Sequence, residues 1–241
     1  MLVAPAARPS SNVPSEDAGA SPVAGEQHEA DVPGWIEGDR SRAFVYPPQR
    51  SVASPQPVTV VLHGMCGEPV SVCAPFVGGS TARGWLVCPR AQDPCGGGSR
   101  WRFAGDFDTQ AVEASVSELA RERSGEVDLS APRVIVGFSL GGILADRMAE
   151  RQSTSGRYRG LVVIASQVQP DAARLKKAGV ARVVLAAGDF DMTSKPLQEA
   201  ARAMNRAGLP TRFVSLGAYG HGFPADMEER MREPMQWVDG G

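Results

Sequence analysis

The chain has 241 residues, 42% of them hydrophobic and 22% charged, which is an ordinary globular composition with enough apolar residues for one large core. Its net charge of −2, without a Lys/Arg-rich cluster interleaved with aromatic residues, argues against nucleic-acid binding. No apolar run approaches the roughly 18 residues of a transmembrane helix, so we expect no membrane span.

Residues 1–34 differ in composition from the rest. Proline, alanine, serine, glycine and acidic residues dominate there, with one arginine against five acidic residues. Because so few large apolar side chains cannot offset the entropy lost on ordering, we predict a disordered tail over 1–34 and one folded domain over 35–241. Residues 1–3 are too short for the apolar region of a signal peptide. We favour an exported protein whose signal lies outside this sequence; a cytoplasmic protein with a tail is the alternative.

Strands and helices alternate along the predicted domain. Continuous apolar or β-branched runs predict buried strands, and apolar residues at helical spacing predict helices. The strands are predicted at 42–46, 58–62, 84–88, 134–138, 161–165, 183–187 and 212–216, and the helices at 106–123, 171–177, 196–207 and 224–238. This order predicts an α/β fold with a mostly parallel central sheet and helices on both faces. Active sites of such sheets lie at the carboxyl ends of the strands.

The four cysteines, Cys66, Cys73, Cys88 and Cys95, lie close together in the chain. They show no C-x-x-C spacing and no histidine at a zinc-like distance, so we expect no metal site. Two disulfides in an exported protein are the favoured interpretation, and four reduced, partly buried thiols are the alternative. Of the three ways to pair them, the shortest loops favour Cys66–Cys73 with Cys88–Cys95.

A serine between two glycines joins the predicted strand 134–138 to a stretch with helical periodicity. The segment reads Gly137-Phe138-Ser139-Leu140-Gly141. This pattern is typical of a sharp strand-to-helix turn that holds the serine in a strained, exposed position. Ser139 is therefore the candidate nucleophile, and a helix-capping serine is the plainer alternative.

With this motif the chain resembles the α/β-hydrolase superfamily, in particular its lidless serine esterases, over roughly residues 41–238. The resemblance implies a nucleophile, an acid and a histidine in that order, an oxyanion loop after an early strand, and no cofactor. Between Gly142 and Asp191 the sequence has room only for helix, strand, helix and strand, so we expect no large cap domain.

His221 and Asp191 are the candidate partners of Ser139. His221 follows the last predicted strand, between two glycines that allow an irregular loop, and is the candidate general base. The acid comes from Gly188-Asp189-Phe190-Asp191 after the strand 183–187. Asp191 matches the spacing of the family, while Asp189 is its competitor, with turn formation as its other role.

The segment His63-Gly64-Met65-Cys66-Gly67 follows the buried strand 58–62. The resemblance implies that the backbone N–H groups of Met65 and Leu140 form the oxyanion hole. We expect His63 to brace this loop rather than to take part in the chemistry. Residues 101–103 are candidates for either a pocket wall or ordinary packing, and residues 96–98 for a flexible rim. Phe190 and Phe223 are candidates for lining the acyl side.

The predicted activity is hydrolysis of carboxylic esters through an acyl-enzyme intermediate, without a cofactor, by a monomer. The expected substrates are small or polymeric esters that an exported protein meets in the periplasm, at the cell surface or in the medium. We expect no nucleic-acid partner and no membrane span. The alternatives are a peptidase or thioesterase of the same fold, and a non-catalytic binding module that retains it.

Overall fold

The computed structural model describes residues 32–50, 53–151 and 156–240. Most of the predicted disordered tail lies outside the described residues, and the boundary predicted at residue 35 stays a prediction. The described strands are β1 (Gly34–Gly38), β2 (Ser41–Tyr46), β3 (Val58–Leu62), β4 (Trp85–Pro89), β5 (Asp93–Cys95), β6 (Gly98–Arg100), β7 (Arg133–Phe138), β8 (Tyr158–Ile164), β9 (Arg182–Ala187) and β10 (Thr211–Ser215). The described α-helices are α1 (Pro69–Cys73), α2 (Val77–Thr81), α3 (Phe107–Glu122), α4 (Leu140–Glu150), α5 (Ala172–Ala178), α6 (Ser194–Arg206) and α7 (Met227–Val238), with a 3-10 turn at Ala74–Phe76.

Eight strands form one sheet in the order β1-β2-β4-β3-β7-β8-β9-β10. All neighbours from β4 to β10 in this order pair in parallel, whereas β2 pairs antiparallel with both β1 and β4. The sheet is therefore mostly parallel, as predicted. The two remaining strands, β5 and β6, form a separate antiparallel hairpin.

The two faces of the sheet bury separate cores, because successive side chains of a strand point to opposite faces. On β7, Ile135 packs into a core that also contains residues of α3, α4, α5 and α6. Its neighbours Val134 and Val136 pack into a second core with residues of α1 and α7. Helices thus cover both faces, which explains why the central strands are continuous apolar runs rather than alternating ones.

Every predicted strand and helix is present, with ends that differ by no more than three residues. The prediction missed β1, the helical stretch from α1 to α2 and the β5–β6 hairpin. These elements have three to five residues each, too few for a periodic pattern to mark them. The described residues between Gly142 and Asp191 form the rest of α4, then β8, α5 and β9, so no large cap domain is inserted there. None of the helices in the described part combines the length and hydropathy needed to cross a membrane.

The cysteines are all bridged, but the predicted pairing is wrong. The bridges are Cys66–Cys95 and Cys73–Cys88, with Cα atoms 4.9 Å and 6.2 Å apart. Cys73 ends α1 and Cys88 lies in β4, and both side chains are buried in the same core. Loop length failed as a guide because tertiary packing, rather than proximity along the chain, brings these sulfur atoms together.

Candidate active site

Ser139 lies at a sharp turn between β7 and α4. Its backbone has φ 52° and ψ −117°, a combination that is strained for a residue with a side chain. The flanking glycines are required by close backbone approach: a Cβ atom on Gly137 would lie 2.3 Å from the Gly141 carbonyl oxygen, and one on Gly141 would lie 2.3 Å from that of Leu62. The turn therefore projects the serine side chain out of the sheet and needs glycine on both sides.

Hydrogen bonds from β8 and α4 hold the strained turn. The Ser139 N–H donates to the carbonyl oxygen of Ile164 at 2.9 Å. The Ser139 carbonyl oxygen accepts from the Ser166 hydroxyl at 2.6 Å and from the Gly142 N–H at 2.9 Å. Ser166, which is buried, was not found by sequence reasoning. The only signal that could have marked it is its position just beyond the end of the strand next to β7.

The structure brings Ser139, His221 and Asp191 into one chain of hydrogen bonds. The His221 Nε2 atom lies 3.0 Å from the Ser139 Oγ atom, and the His221 Nδ1 atom lies 2.7 Å from the Asp191 Oδ2 atom. Since the Asp191 carboxylate accepts a hydrogen bond from the Nδ1–H group of His221, the neutral imidazole presents an unprotonated Nε2 to the serine hydroxyl. This geometry allows His221 to accept the serine proton.

Asp191 and Asp189 have different surroundings, although only one residue separates them. Asp191 is 6% exposed, and its Oδ1 atom accepts from the N–H and the hydroxyl of Thr193, both at 2.8 Å. Burial raises the pKa of the Asp191 carboxyl, but the hydrogen bonds from Thr193 and His221 outweigh it and lower the pKa below its ordinary value. Asp189 is exposed and accepts from the Ser215 hydroxyl. Asp191 is thus the carboxylate that faces the imidazole.

Backbone contacts fasten the loop that carries His221 to the loop that carries Asp191. The Asp189 N–H donates to the Gly217 carbonyl at 2.8 Å, and the Phe190 N–H donates to the Tyr219 carbonyl at 3.0 Å. The Phe138 ring also packs against the imidazole of His221, with the two ring centroids 5.3 Å apart. These contacts come from the carboxyl ends of β7, β9 and β10 in the same half of the sheet, or from the loops that follow them.

The loop of residues 63–67, which we call the oxyanion loop, passes directly beside Ser139. A Cβ atom on Gly64 would lie 3.2 Å from the Ser139 Cβ atom. The Met65 N–H donates to no acceptor within the described residues. Leu140 is the first residue of α4, where backbone N–H groups have no partner inside the helix. Both predicted donors are therefore available near the hydroxyl, and their catalytic role stays a prediction.

His63 braces the oxyanion loop from inside the protein. It is fully buried, and its Nδ1–H donates to the Gly64 carbonyl at 2.7 Å. Its Nε2 accepts from the Ala91 N–H at 3.1 Å and from the Ser99 hydroxyl at 3.2 Å. The Trp101 ring stacks on the imidazole with centroids 4.8 Å apart. These partners require the neutral ring with its proton on Nδ1.

Burial lowers the pKa of His63, so stability should depend on pH. In the unfolded chain the His63 imidazole has its ordinary pKa of about 6.5 and binds a proton below that pH. In the folded chain the same imidazole stays neutral to a lower pH. The free energy of unfolding should therefore fall as the pH drops through about 6.5, until the lowered folded-state pKa is passed. Urea unfolding of the wild type and His63→Gln between about pH 5 and pH 8 measures this slope.

The difference between the two proteins is the informative quantity. Burial raises the pKa of Asp146 to about 7, and this group contributes the opposite slope, a stability that is lost as the pH rises. Asp146 is present in both proteins and cancels in the comparison. A pH slope that is the same in His63→Gln and in the wild type would contradict the role assigned to His63.

A pocket of about 510 Å³ opens beside the Ser139 hydroxyl. The residues that line it are Met65, Ser139, Leu140, Ile143, Ala165, Gln167, Phe190, Asp191, Met192, Thr193 and His221. Asp191 is the one charged residue among them, and His221 already pairs with it. Phe190 and Met192 are 77% and 78% exposed and form an apolar rim. The pocket thus suits an uncharged, apolar group.

The structure also shows where the aromatic residues and the glycine segment suggested near the site lie relative to this pocket. Phe190 lines it as suggested, whereas Phe223 lies against the Phe138 ring, with centroids 4.6 Å apart, and is not among the lining residues. Trp101 is 3% exposed and packs on His63, so the packing interpretation is correct for this residue. Gly98, suggested as part of a flexible rim, is buried in β6 against the oxyanion loop.

The chain is similar to several solved structures. An S-formylglutathione hydrolase from Agrobacterium tumefaciens has a TM-score of 0.63 at 16% identity, over 86% of this chain and 93% of that one. The fluorophosphonate-binding serine hydrolase F of Staphylococcus aureus has a TM-score of 0.62 at 11% identity, over 87% and 98%. A ferulic acid esterase has a TM-score of 0.59 at 15% identity, over 86% and 96%. No protein-family model and no curated protein sequence matches.

These identities are low, so the likeness establishes the fold and not the activity. The predicted fold, that of the α/β-hydrolases, is confirmed by the sheet order and by these neighbours.

Proposed function

We propose that the protein hydrolyses carboxylic esters, with Ser139 as nucleophile, His221 as general base and acid, and Asp191 as the residue that orients the imidazole. The observation that carries this proposal is the hydrogen-bonded chain from the Ser139 hydroxyl through His221 to Asp191. It lies at the carboxyl ends of the strands and opens into an apolar pocket. A serine that only capped a helix would need neither partner.

In the first half of the proposed reaction, Ser139 Oγ attacks the ester carbonyl carbon while His221 Nε2 takes the hydroxyl proton. Asp191, ionised because its pKa is lowered, stabilises the imidazolium. The carbonyl oxygen becomes an oxyanion that accepts from the N–H groups of Met65 and Leu140. The C–O bond to the alcohol then breaks, His221 returns its proton to the leaving oxygen, and an acyl-serine remains.

In the second half, a water molecule takes the place of the alcohol. His221 removes one proton from the water as its oxygen attacks the acyl carbon, and the same two N–H groups hold the second oxyanion. The bond to Ser139 Oγ breaks, the proton returns to the serine, and the acid leaves. Every proton is moved by His221, so the proposed reaction uses no cofactor.

The pocket favours esters that are uncharged and apolar on the side that enters it. Its lining contains no lysine, arginine or free carboxylate that could pair with a charged substrate group. Burying an ionised group without a partner is costly. A glutathione thioester, whose tripeptide carries ionised carboxylates, would find no cation there, and this argues for neutral esters over that class.

Two matched pairs of esters test this proposal. p-Nitrophenyl butyrate is compared with p-nitrophenyl hemisuccinate, and phenyl acetate with 4-carboxyphenyl acetate. In at least one pair, we expect kcat/KM for the neutral ester to be at least about 10-fold higher than for the charged ester. This ratio corresponds to a cost of about 1.4 kcal/mol for burying the ionised group without a partner. Equal or faster turnover of both charged esters would contradict the substrate class, and no turnover of any ester would contradict the function.

We also propose that the protein works outside the cytoplasm. Two disulfide bonds support this, since such bonds persist mainly in oxidising compartments. The expectation of a monomer stays a prediction.

A further inference from the structure

The β5–β6 hairpin packs against the oxyanion loop through backbone atoms. The Ser99 N–H donates to the Gly67 carbonyl at 3.2 Å. A Cβ atom on Gly98 would lie 2.4 Å from the Cys66 carbonyl oxygen and 2.6 Å from that of Gly67. No other residue than glycine fits at position 98 without moving one of the two segments, so the loop and the hairpin form one packed unit.

The oxyanion loop is anchored on both sides of Met65. On one side, His63 is buried and hydrogen-bonded to Ala91 and Ser99. On the other side, Cys66 is bonded covalently to Cys95 of the hairpin. Only Gly64 and Met65 lie between these anchors. The direction of the Met65 N–H therefore depends on both of them.

The backbone of Cys66 makes the second anchor necessary. Its φ is 54°, in the left-handed region that residues with a side chain seldom adopt. A free cysteine at this position would tend to leave that conformation. The peptide group between Met65 and Cys66 would turn with it and would shift the Met65 Cα atom, and with it the adjoining Gly64–Met65 peptide group that carries the Met65 N–H. The bridge to Cys95 opposes this movement.

The two disulfides differ in their access to solvent. Cys73 and Cys88 are fully buried. Cys66 is exposed, and Cys95 is half-buried. Since a thiolate must reach a sulfur atom to exchange with it, a small dithiol should reduce Cys66–Cys95 first.

We propose that the Cys66–Cys95 bridge is a positioning element for the Met65 N–H, and that its selective reduction by a dithiol lowers turnover reversibly. In the reduction, one thiolate of the reagent attacks a bridge sulfur and the S–S bond breaks. The second thiol of the reagent displaces the remaining cysteine. Cys66 and Cys95 end as thiols, and the reagent, having given up two electrons, ends as its own disulfide. This inference rests on the proposed function, because Met65 has a catalytic part only in that reaction.

The first experiment compares two double variants that each remove one bridge. Cys66→Ala/Cys95→Ala should lower kcat on a neutral p-nitrophenyl ester by about 10- to 100-fold, part of the roughly 10²–10³-fold that follows the loss of an oxyanion donor. KM should stay within about 2-fold, because the oxyanion forms only during the reaction. Cys73→Ala/Cys88→Ala is the matched control: it should melt at a lower temperature but keep kcat.

The second experiment uses the unmodified chain, in case a variant does not fold. Wild-type protein is treated with a low concentration of dithiothreitol, and free thiols are alkylated and assigned by peptide mass mapping. Protein alkylated only at Cys66 and Cys95 should show the same fall in kcat, with its far-UV circular dichroism unchanged. Unalkylated protein should regain turnover when the reductant is removed and a small-molecule disulfide, such as oxidised glutathione, is added. The added disulfide takes up the two electrons, and the Cys66–Cys95 bridge re-forms by exchange.

The outcomes separate this inference from the proposed function. In one outcome the oxidised protein hydrolyses esters, and the form without the Cys66–Cys95 bridge has a kcat within about 2-fold of the oxidised protein. This result would overturn the positioning role and leave the proposed function in place. A rise in KM and a fall in kcat that the Cys73/Cys88 control reproduces would also overturn it, since a general loosening of the structure would then explain the loss. Oxidised protein that neither turns over an ester nor reacts at Ser139 would overturn the proposed function and this inference with it.

Discussion

Ser139→Ala is expected to lower kcat on every ester by about 10⁶-fold, as removal of the serine of a serine protease does. The methyl group that replaces the hydroxyl cannot form the acyl-enzyme bond. The melting temperature should change little, because the Ser139 hydroxyl bonds to the exposed imidazole of His221 and not into the core. Steady-state rates and a thermal melt measure the two effects.

Ser117→Ala is the matched control for this change. Ser117 is exposed on α3 and its hydroxyl donates to the Glu113 carbonyl of the same helix, outside the proposed site. It should retain full kcat. If Ser139→Ala kept more than about a hundredth of the wild-type kcat, another group would have to be the nucleophile.

Asp191→Asn is expected to lower kcat by about 10⁴-fold, the loss seen when the triad aspartate of a serine protease becomes asparagine. The amide has no negative charge to stabilise the imidazolium. It can also donate to Nδ1, which would leave the imidazole proton on Nε2, where it blocks removal of the serine proton. The steady-state kcat on a neutral ester, measured against pH for the variant and the wild type, gives the size of the effect.

Asp189→Asn is the matched control, with the same chemical change on the same loop. Its carboxylate accepts from the Ser215 hydroxyl, whereas the imidazole donates to Asp191, so kcat should stay within about 3-fold of the wild type. A large loss in Asp189→Asn with a small one in Asp191→Asn would show that the wrong carboxylate has been assigned.

Most of the sheet could be predicted because the residues of each strand themselves show the pattern that predicts a strand. A buried parallel strand is a continuous apolar run, and Val58–Leu62 was predicted with its observed ends for this reason. The same holds for Ser139, since two glycines and the preceding strand mark its turn within a few residues. The choice between Asp191 and Asp189 needed the family resemblance, because nothing local shows which carboxylate points inward.

Features that depend on contacts between distant segments could not be predicted. Ser166 holds the Ser139 carbonyl, yet no local pattern distinguishes it from other serines. The bridge between Cys73 and Cys88 depends on how α1 packs against β4, which the spacing of cysteines does not encode. Strand β1 is a short edge strand bounded by glycines and half exposed, so it lacks the apolar run that marked the others.

The most direct test of the account is labelling with a fluorophosphonate followed by peptide mass mapping. These probes phosphonylate a serine only when its hydroxyl is activated, and the proposal assigns that activation to His221 at 3.0 Å from Ser139 Oγ. We predict a single adduct, on the peptide that contains Ser139, absent in Ser139→Ala and strongly slowed in Asp191→Asn. An unlabelled chain under conditions that label a known serine esterase, or an adduct on a different serine, would contradict the assignment of Ser139 as the nucleophile.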